Sequence, residues 1–461
     1  MKRFITFIFH AVKYWIVLCF SFFNFQLKQK LTFHFPFFAL HLKRMFTFSF
    51  SLLVFHLKRI CTFSFSLLVF HFSNAQDLQE YIKIALENNP EVQQFDTKYK
   101  RISEKKEEAH TLPNTEFGAG YFVSTPETRT GPQQFKLSVK QMIPFFGTIT
   151  ARENYVSSLA DAAYQDIVVV KRKLATSVAQ SYYKLYEVKA KQKVLEENIA
   201  LLETYEKLAL TSVEVGKASA VDVLRLQIRQ NELAQQKEVL QETFLGMQKA
   251  FNKLLNQEVN TSILVVDSLQ IPKEVDKMQP STLKLHPELI KFDKLYTSVE
   301  KSEFLNQKDK QPMIGFGLDY VNVGKRTDMN VVGNGKDIVM PMVSLSIPIF
   351  NKKNKSISKQ NKLQQEEILS QKEQRYNTLE AVLYRAVSDR KASVISYQTQ
   401  LKNLEQAKNA AQILVKSYET GIIDFNDVLD IQELQLKFQT NMITLEVTYY
   451  TQSATINYLI K

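Results

Sequence analysis

Two stretches of twelve residues, GKASAVDVLRLQ at 216–227 and GIIDFNDVLDIQ at 421–432, are nearly the same and start 205 residues apart. Each begins with Gly, carries Asp-Val-Leu at its seventh to ninth places and has Gln at its twelfth. A repeated segment of this length indicates that one local structure is used twice.

The order of residue types in each stretch predicts a turn between two helices. Gly216 and Gly421 follow long runs without Gly or Pro, where glycine is typical of a helix C-terminus. Ser219 and Asp424 come three residues later and are suitable N-caps for the next helix. The helix dipole favours carboxylates in the following first turn. The acidic residues at those positions are Asp222 and Asp427. Each stretch is therefore predicted to close an antiparallel helical hairpin.

The repetition extends through most of the chain. Three further pairs match at similar separations: NNPEV at 88–92 with LHPEL at 285–289, QMIPFFG at 141–147 with LSIPIFN at 345–351, and AFNKLLN at 250–256 with TINYLIK at 455–461. We therefore predict two tandem copies of one unit, at 76–258 and 283–461, joined by a linker at 259–282.

Each copy is predicted to run helix, two strands, very long helix, turn and long helix. The first helix of copy one is expected from about Asp77 to His110. Alternation of apolar and polar side chains, with one apolar face, is typical of strands, and about ten residues suit a tilted strand in a bilayer. The alternating segments are 115–125, 135–139, 314–320 and 343–349. A small half-buried sheet on a soluble domain is the alternative interpretation.

The helices are predicted to be long and to pack as coiled coils. No Gly or Pro occurs between Thr148 and Val215, which corresponds to about 100 Å of helix. Residues at seven-residue spacing are mostly apolar, as is typical of antiparallel coiled coils. In the long helix they are Leu174, Ser181, Val188, Leu195, Leu202 and Ala209, and in the returning helix Leu226, Leu233, Leu240, Met247 and Leu254.

Residues 1–75 differ from the rest of the chain. They contain nine Lys and Arg, no Asp or Glu, and both cysteines, Cys19 and Cys61. A 15-residue segment is repeated almost perfectly at 42–56 and 57–71. Lys58 and Arg59 precede an apolar run that ends in SNAQ, which predicts a signal peptide cleaved after about Ala75. A Phe-rich membrane anchor is the alternative.

The remaining composition excludes several functions. From Gln76 onward there is no Cys, and His110 and His286 are the only histidines, so neither a thiolate metal site nor a metal or cofactor site of another kind is expected. The two histidines are predicted to lie at the surface, at a helix end and a helix start. No catalytic constellation or Gly-rich phosphate loop occurs, and most of the excess positive charge lies in residues 1–75. The chain is therefore predicted to be neither an enzyme nor a nucleic-acid-binding protein.

Four amphipathic strands are too few to close a barrel, and open strand edges are not tolerated in lipid. We therefore expect copies of the chain to share one barrel, and three copies would supply twelve strands, an even number in the range of outer-membrane barrels. The helices would then extend about 100 Å into the periplasm. A cylinder of that length suits contact with a partner anchored in the inner membrane.

From about residue 76 to residue 461, the sequence resembles the TolC-like outer-membrane efflux proteins. The resemblance is carried by the duplicated turn, the NPEV and HPEL helix starts, the strands that end at Pro and the terminal INYL. It implies an α+β membrane protein with a long antiparallel coiled-coil helical barrel and four transmembrane β-strands per chain, giving twelve strands in a homotrimer. It also implies an outer-membrane location, with a periplasmic adaptor protein and an inner-membrane pump as partners.

In such proteins the hairpin tips carry the adaptor contact and the gate. The resemblance assigns that role here to Gly216, Asp222, Val223, Leu224, Gly421, Asp427, Val428 and Leu429. For the two Asp residues, stabilisation of a helix start is an equal alternative. Near the second turn only Glu419 is acidic within AKNAAQILVKSYETG, so a cation-selective acidic gate is not expected. The Lys-rich stretch NKKNKSISKQNK at 351–362 is expected near lipid head groups or on a solvated face.

The predicted function is passive export through the outer membrane as part of a tripartite system, with small molecules such as drugs or metal ions as the expected cargo. The alternatives are the duct of an ATP-driven protein secretion system and a structural periplasmic coiled coil. The residues do not identify the cargo, the class of pump, the gate or the true translation start.

Overall fold

The computed structural model describes residues 78–272, 280–349 and 352–460, so the predicted leader and its cleavage site lie outside the described residues. The first half comprises α1 (Leu78–Asn88), α2 (Pro90–Ala109), β1 (Glu116–Tyr121), β2 (Glu127–Thr128), β3 (Gly131–Ile143), α3 (Thr148–Glu214) and α4 (Ala220–Leu254). The second half comprises a 3-10 helix (Pro280–Leu285), α5 (Pro287–Lys308), β4 (Met313–Val323), β5 (Ile338–Ser346), α6 (Lys353–Glu419) and α7 (Phe425–Ile460). Both halves place two principal strands before a very long helix, while the boundaries of the two copies stay a prediction.

The first helix is broken where one continuous helix was expected. Asn89 separates α1 from α2, and its side chain accepts a hydrogen bond of 2.9 Å from the backbone nitrogen of Glu91. Pro90 occupies the first position of α2, where the N–H that it lacks is not needed. The N-cap and the proline together end one helix and start the next. In the second half, His286 and Pro287 begin α5 in the same way.

The long helices α3 and α6 have 67 residues each, or about 100 Å. Along α3 lie α2 with 20 residues and α4 with 35 residues. α3 also contacts α5 and α7, and α6 contacts α5 and α7. Next to the strands the helices therefore follow the order α2, α3, α5, α6, and beyond them the order α4, α3, α7, α6.

The heptad positions form the core of these contacts. Leu174, Leu195, Leu202 and Ala209 of α3 are buried, as are Leu226 and Leu233 of α4. The predicted apolar seam is therefore confirmed along α3 and α4. In the part of the chain that the structure describes, no helix combines the length and the apolar character that a membrane crossing needs.

The strands form one antiparallel sheet in the order β1, β3, β4, β5, with the two-residue β2 paired to β3. The register places Leu137 opposite Tyr320, and Phe316 opposite Val343. The strands differ from their predicted bounds by a few residues, and β5 ends at Ser346, just before Pro348.

Candidate functional site

The two predicted turns have the same hydrogen bonds at the far ends of the helices. Gly216 has φ of 73° and Gly421 has φ of 77°. The nitrogen of Gly216 donates to the carbonyl of Val213 at 3.0 Å, and that of Lys217 donates to Ser212 at 2.8 Å. In the second turn Gly421 donates to Tyr418 at 2.9 Å, and Ile422 donates to Ser417 at 3.0 Å. This pair of bonds is a Schellman motif, and it ends both long helices at the tip.

The helix starts beyond the turns differ from each other. The hydroxyl of Ser219 accepts a hydrogen bond of 3.2 Å from the backbone nitrogen of Val221, as an N-cap does. Asp222 is buried, with its Oδ1 4.0 Å from Nη1 of Arg225, whereas Asp427 is exposed. Burial of Asp222 favours the helix-start role for that residue, and Asp427 keeps a surface that a partner can reach.

The core of the tip is shared by both hairpins. Val223 and Val428 are buried in one cluster with Tyr418, Phe425 and Leu226. The ring of Phe425 lies edge-on to the ring of Tyr418, with centroids 4.7 Å apart. Leu429 is partly buried against this cluster. The two valines therefore hold the hairpins together, and their side chains are not on the surface of the chain.

Exposed apolar side chains surround this core. Leu224 is 56% exposed and Ile422 is 75% exposed. Val215 and Val221 are also exposed on the first hairpin. Exposed apolar side chains also occur along the helices, for example Ile395 and Ile413. It is the grouping of four such side chains around the two turns that indicates contact with a partner.

Buried polar groups also join the two hairpins above the tip. The side chain of Asn198 in α3 donates to Oε1 of Gln439 and accepts from Nε2 of Gln432, each at 3.0 Å. At the tip itself, Nη1 of Arg225 donates to Oδ1 of Asn426 at 2.5 Å. The contacts of Asn198 with Gln432 and Gln439 fix the register of α3 against α7, because any slip would leave these buried polar groups unpaired.

At the other end of the chain, the sheet has one apolar and one polar face. Phe117, Phe316 and Val343 lie on the apolar face and are largely exposed. On the opposite face Lys136 forms an ion pair with the buried carboxylate of Asp319. The sheet also ends in two unpaired edges, β1 and β5. An exposed apolar face with an alternate polar face is the pattern of strands that separate lipid from water.

His286 corrects a prediction, because it is 1% exposed rather than at the surface. It is still at a helix start, as predicted, and its Nδ1 accepts from the backbone nitrogen of Glu288 at 3.3 Å. Burial lowers the pKa of His286 to about 4. His110 does lie at the surface, where its Nδ1 is 2.6 Å from Oε1 of Glu153.

A half-buried ionic cluster surrounds the start of α5. Glu288 pairs with Arg375 of α6 and accepts a hydrogen bond of 2.5 Å from the hydroxyl of Tyr458 in α7. Lys173 of α3 lies 3.6 Å from the same carboxylate. Burial raises the pKa of Glu288, but the hydrogen bonds from Arg375 and Tyr458 outweigh it and bring the pKa to about 2. The cluster ties four helices together and was not predicted.

Among residues 78–272, 280–349 and 352–460, no group of three or more His, Cys, Asp or Glu side chains is placed to hold a metal ion.

The left-handed glycine at the tip gives a testable prediction. A Cβ at Gly216 would meet nothing within 4 Å, so only its φ opposes a side chain. Gly216→Ala should destabilise the tip by about 1–2 kcal/mol, and Gly216→Asn by less. The control is Gly246→Ala within α4, which should stabilise by about 0.5–1 kcal/mol. Hydrogen exchange of the amides around residues 205–225 measures the difference, and equal protection in the Ala and wild-type proteins would contradict it.

Comparison with known proteins agrees with this geometry. Residues 81–255 match the family described as outer membrane efflux protein. This match confirms the resemblance that the sequence predicts, and the description of the family places its members in the outer membrane. No curated protein matches the chain.

Solved structures of outer-membrane channels share the fold. One is CusC, whose structures are described as showing the conformational changes that accompany folding and transmembrane channel formation. It is 14% identical to this chain, the TM-score is 0.67, and the match covers 83% of this chain and 91% of CusC. VceC from Vibrio cholerae is 15% identical with a TM-score of 0.64 over 83% of this chain and 95% of VceC. The CmeC channel from Campylobacter jejuni is 15% identical with a TM-score of 0.64 over 84% of this chain and 85% of CmeC. The predicted TolC-like fold is therefore confirmed.

Proposed function

We propose that this chain is the outer-membrane channel of a tripartite export system. Its residues 81–255 match the outer membrane efflux protein family, and its fold is TolC-like. The observation that carries the proposal is the pairing of an amphipathic, open-edged sheet with two hairpins that end in identical turns about 100 Å away. One end suits a membrane, and the other suits a partner across the periplasm.

The proposed channel is a homotrimer, and the two open edges of the sheet support this. Edges β1 and β5 carry unpaired backbone groups, which cannot face lipid. Joining β1 of one copy to β5 of the next satisfies both edges, and three copies close a barrel of twelve principal strands. The apolar face with Phe117, Phe316 and Val343 would then contact outer-membrane lipid, and the face with Lys136 and Asp319 would line the channel.

The tip would bind a periplasmic adaptor, which in turn joins an inner-membrane pump. In the predicted set the exposed side chains are those of Leu224 and Asp427, and with Ile422 they would touch the adaptor directly. Gly216 and Gly421 give the turns their shape, and Val223 and Val428 support them from the core. Asp222 is buried and Leu429 partly buried behind this surface, where Asp222 would stabilise the start of α4.

Small molecules, either drugs or metal ions, are the proposed cargo. The support is the family description as efflux protein, and cargo selection would lie mainly with the pump. Deleting the gene should raise susceptibility to such compounds if the partner recovered with the tip is a proton-driven transporter. Recovery of an ATP-binding exporter instead would assign the chain to protein secretion.

Adaptor contact is tested by adding charge to the exposed tip. Leu224→Asp and Ile422→Asp should each lower in-cell cross-linking to the adaptor by about tenfold, the effect of losing about 1.4 kcal/mol. Val332→Asp places the same change at an exposed residue of the loop between β4 and β5, at the other end of the molecule, and should have no effect. If both tip variants cross-link as well as the wild type, the tip is not the docking surface.

A further inference from the structure

The layer of helices next to the strands has two edge helices, α2 and α6. Within this layer α2 contacts α3, α3 contacts α5, and α5 contacts α6. α2 turns its Tyr99 to Tyr164 of α3, with ring centroids 5.7 Å apart. α6 turns Asn354 and Asn361 to α5, where Asn306 donates to the carbonyl of Asn354 at 2.9 Å. Next to the strands, the outward side of α6 carries lysines and the outward side of α2 carries two carboxylates, with the exposed Lys105 about 60° around the helix from Glu108.

The outward side of α6 is basic. Lys352, at the N-cap, and Lys355, Lys359 and Lys362 are all exposed. Their spacing of three, four and three residues places them within an arc of about 80° on the helix, separate from the arc that holds Asn354 and Asn361. Within the described residues, no ion pair involves these four lysines. They form a stripe over the first three turns after the strands, which we call the lysine stripe.

The outward side of α2 is acidic over its last two turns. Glu104 and Glu108 are exposed and lie about 140° and 180° around the helix from Tyr99. As one turn separates them, they form a pair of carboxylates on the side opposite α3. Neither carboxylate forms an ion pair within the part of the chain described here.

The two charged edges lie at matching distances from the strands. Glu108 and Glu104 lie about 2 and 8 Å from the end of α2, which leads into β1. Lys355 and Lys359 lie about 3 and 9 Å from the start of α6, which follows β5. Both edges also change sign farther away, with Arg101 beyond Glu104 on α2 and Glu366 beyond Lys362 on α6.

We propose that the lysine stripe of one copy binds Glu104 and Glu108 of the next copy, so that these ion pairs join the helical parts of the homotrimer. This inference rests on the proposed trimeric channel. A head-to-tail contact of this kind uses two different surfaces and closes into a ring after three copies. Opposite charges at equal heights also fix the axial register of the copies. The lysine stripe therefore has a second copy of this chain as its partner, rather than lipid or solvent.

The test is a disulfide between copies. Glu104→Cys combined with Lys359→Cys should give linked dimers and trimers on mild oxidation, whereas each single variant should give none. The sequence has no cysteine after Cys61, so the introduced cysteines are the only ones in the part of the chain from residue 76 onward. Lys106→Cys with Lys359→Cys is the matched control, because Lys106 lies at the same height on the α3 side of α2. A trimer that forms without the Glu104–Lys359 link would overturn the inference while leaving the channel standing. Loss of the trimer in wild-type protein would overturn the proposed function itself.

Charge exchange gives an independent readout. Glu104→Lys with Glu108→Lys should lower the fraction of heat-resistant trimer by about fivefold, because like charges then face each other. Adding Lys355→Glu and Lys359→Glu to that variant should restore the trimer to within about twofold of wild type. Failure of the exchange to restore it would contradict the pairing. So would a result in which Lys355→Glu and Lys359→Glu leave the trimer intact and only weaken binding to vesicles of phosphatidylglycerol relative to phosphatidylcholine.

Discussion

Phe425→Ala is expected to release the two hairpins from each other at the tip. Phe425 is the first residue of α7 and is 0% exposed, and its ring packs edge-on to both Tyr418 and Tyr205. Removing a buried Phe side chain typically costs about 3–5 kcal/mol, part of it for the cavity that remains. Because this cluster joins α3, α4, α6 and α7, the loss should reach both turns.

Hydrogen exchange measures this effect at the tip alone. Amides near residues 209–226 and 418–430 should lose protection in Phe425→Ala, while those of β3 and β4 keep it. Ile422→Ala is the matched control, since the side chain lies three residues away and is 75% exposed. It should leave exchange unchanged. Equal exchange in the Phe425→Ala and wild-type proteins would show that the aromatic cluster does not hold the tip.

Glu288→Ala is expected to destabilise the helices near the strands by about 1–3 kcal/mol, because the half-buried guanidinium of Arg375 loses its partner. Arg375 and Tyr458 both lose their acceptor, and Lys173 loses a nearby carboxylate. Glu288→Gln keeps an acceptor for both groups and should be intermediate. Glu300→Ala, at an exposed position of the same helix, should have little effect. Hydrogen exchange of α5 and α6 distinguishes these outcomes.

The same cluster makes stability depend on pH. His286 is neutral in the fold, and its pKa of about 4 lies below the usual value of 6.5. Its contribution is therefore complete above pH 6.5 and is lost as the pH falls to about 4. Glu288, with a pKa of about 2, contributes fully above pH 4.5 and loses its effect as the pH falls toward 2.

His286→Asn separates the two contributions. Asn is a good N-cap and does not titrate, so this variant should lose the fall in thermal stability between pH 6.5 and 4 and keep the fall below 4.5. An unchanged pH profile would show that His286 is not responsible for the first part.

Local patterns in the sequence accounted for the elements that depend on near neighbours. The Schellman turns at Gly216 and Gly421 need only a few consecutive residues, and the seven-residue repeat through Leu195 and Leu202 determines the buried side of α3 without knowledge of its partners. The break at Asn89 was also readable, because an Asn-Pro pair is a helix start. The sequence analysis identified NPEV as a helix start, but the prediction of one helix from Asp77 to His110 did not use it.

Contacts between distant parts of the chain could not be predicted in this way. The burial of Val223 depends on Phe425 and Val428, which come from the other hairpin about two hundred residues later. The residues around His286 are typical of a helix start at the surface. His286 is buried because the ring of Tyr458 packs against its ring, with centroids 4.9 Å apart. The sequence lists these residues, but it does not show which residues of the first half of the chain pack against which residues of the second half.

The equal length of α3 and α6, at 67 residues each, has a consequence for how such a chain can change its reach. Both helices run from the sheet to the tip, so lengthening one alone would put the two turns at different depths. A seven-residue insertion preserves the apolar seam and adds about 10 Å, whereas a four-residue insertion rotates the seam away. The helices that return from the tip must grow by the same amount. The length of the helical part can therefore change only in steps of about 10 Å. Matching a wider or narrower periplasm requires coordinated changes in four helices.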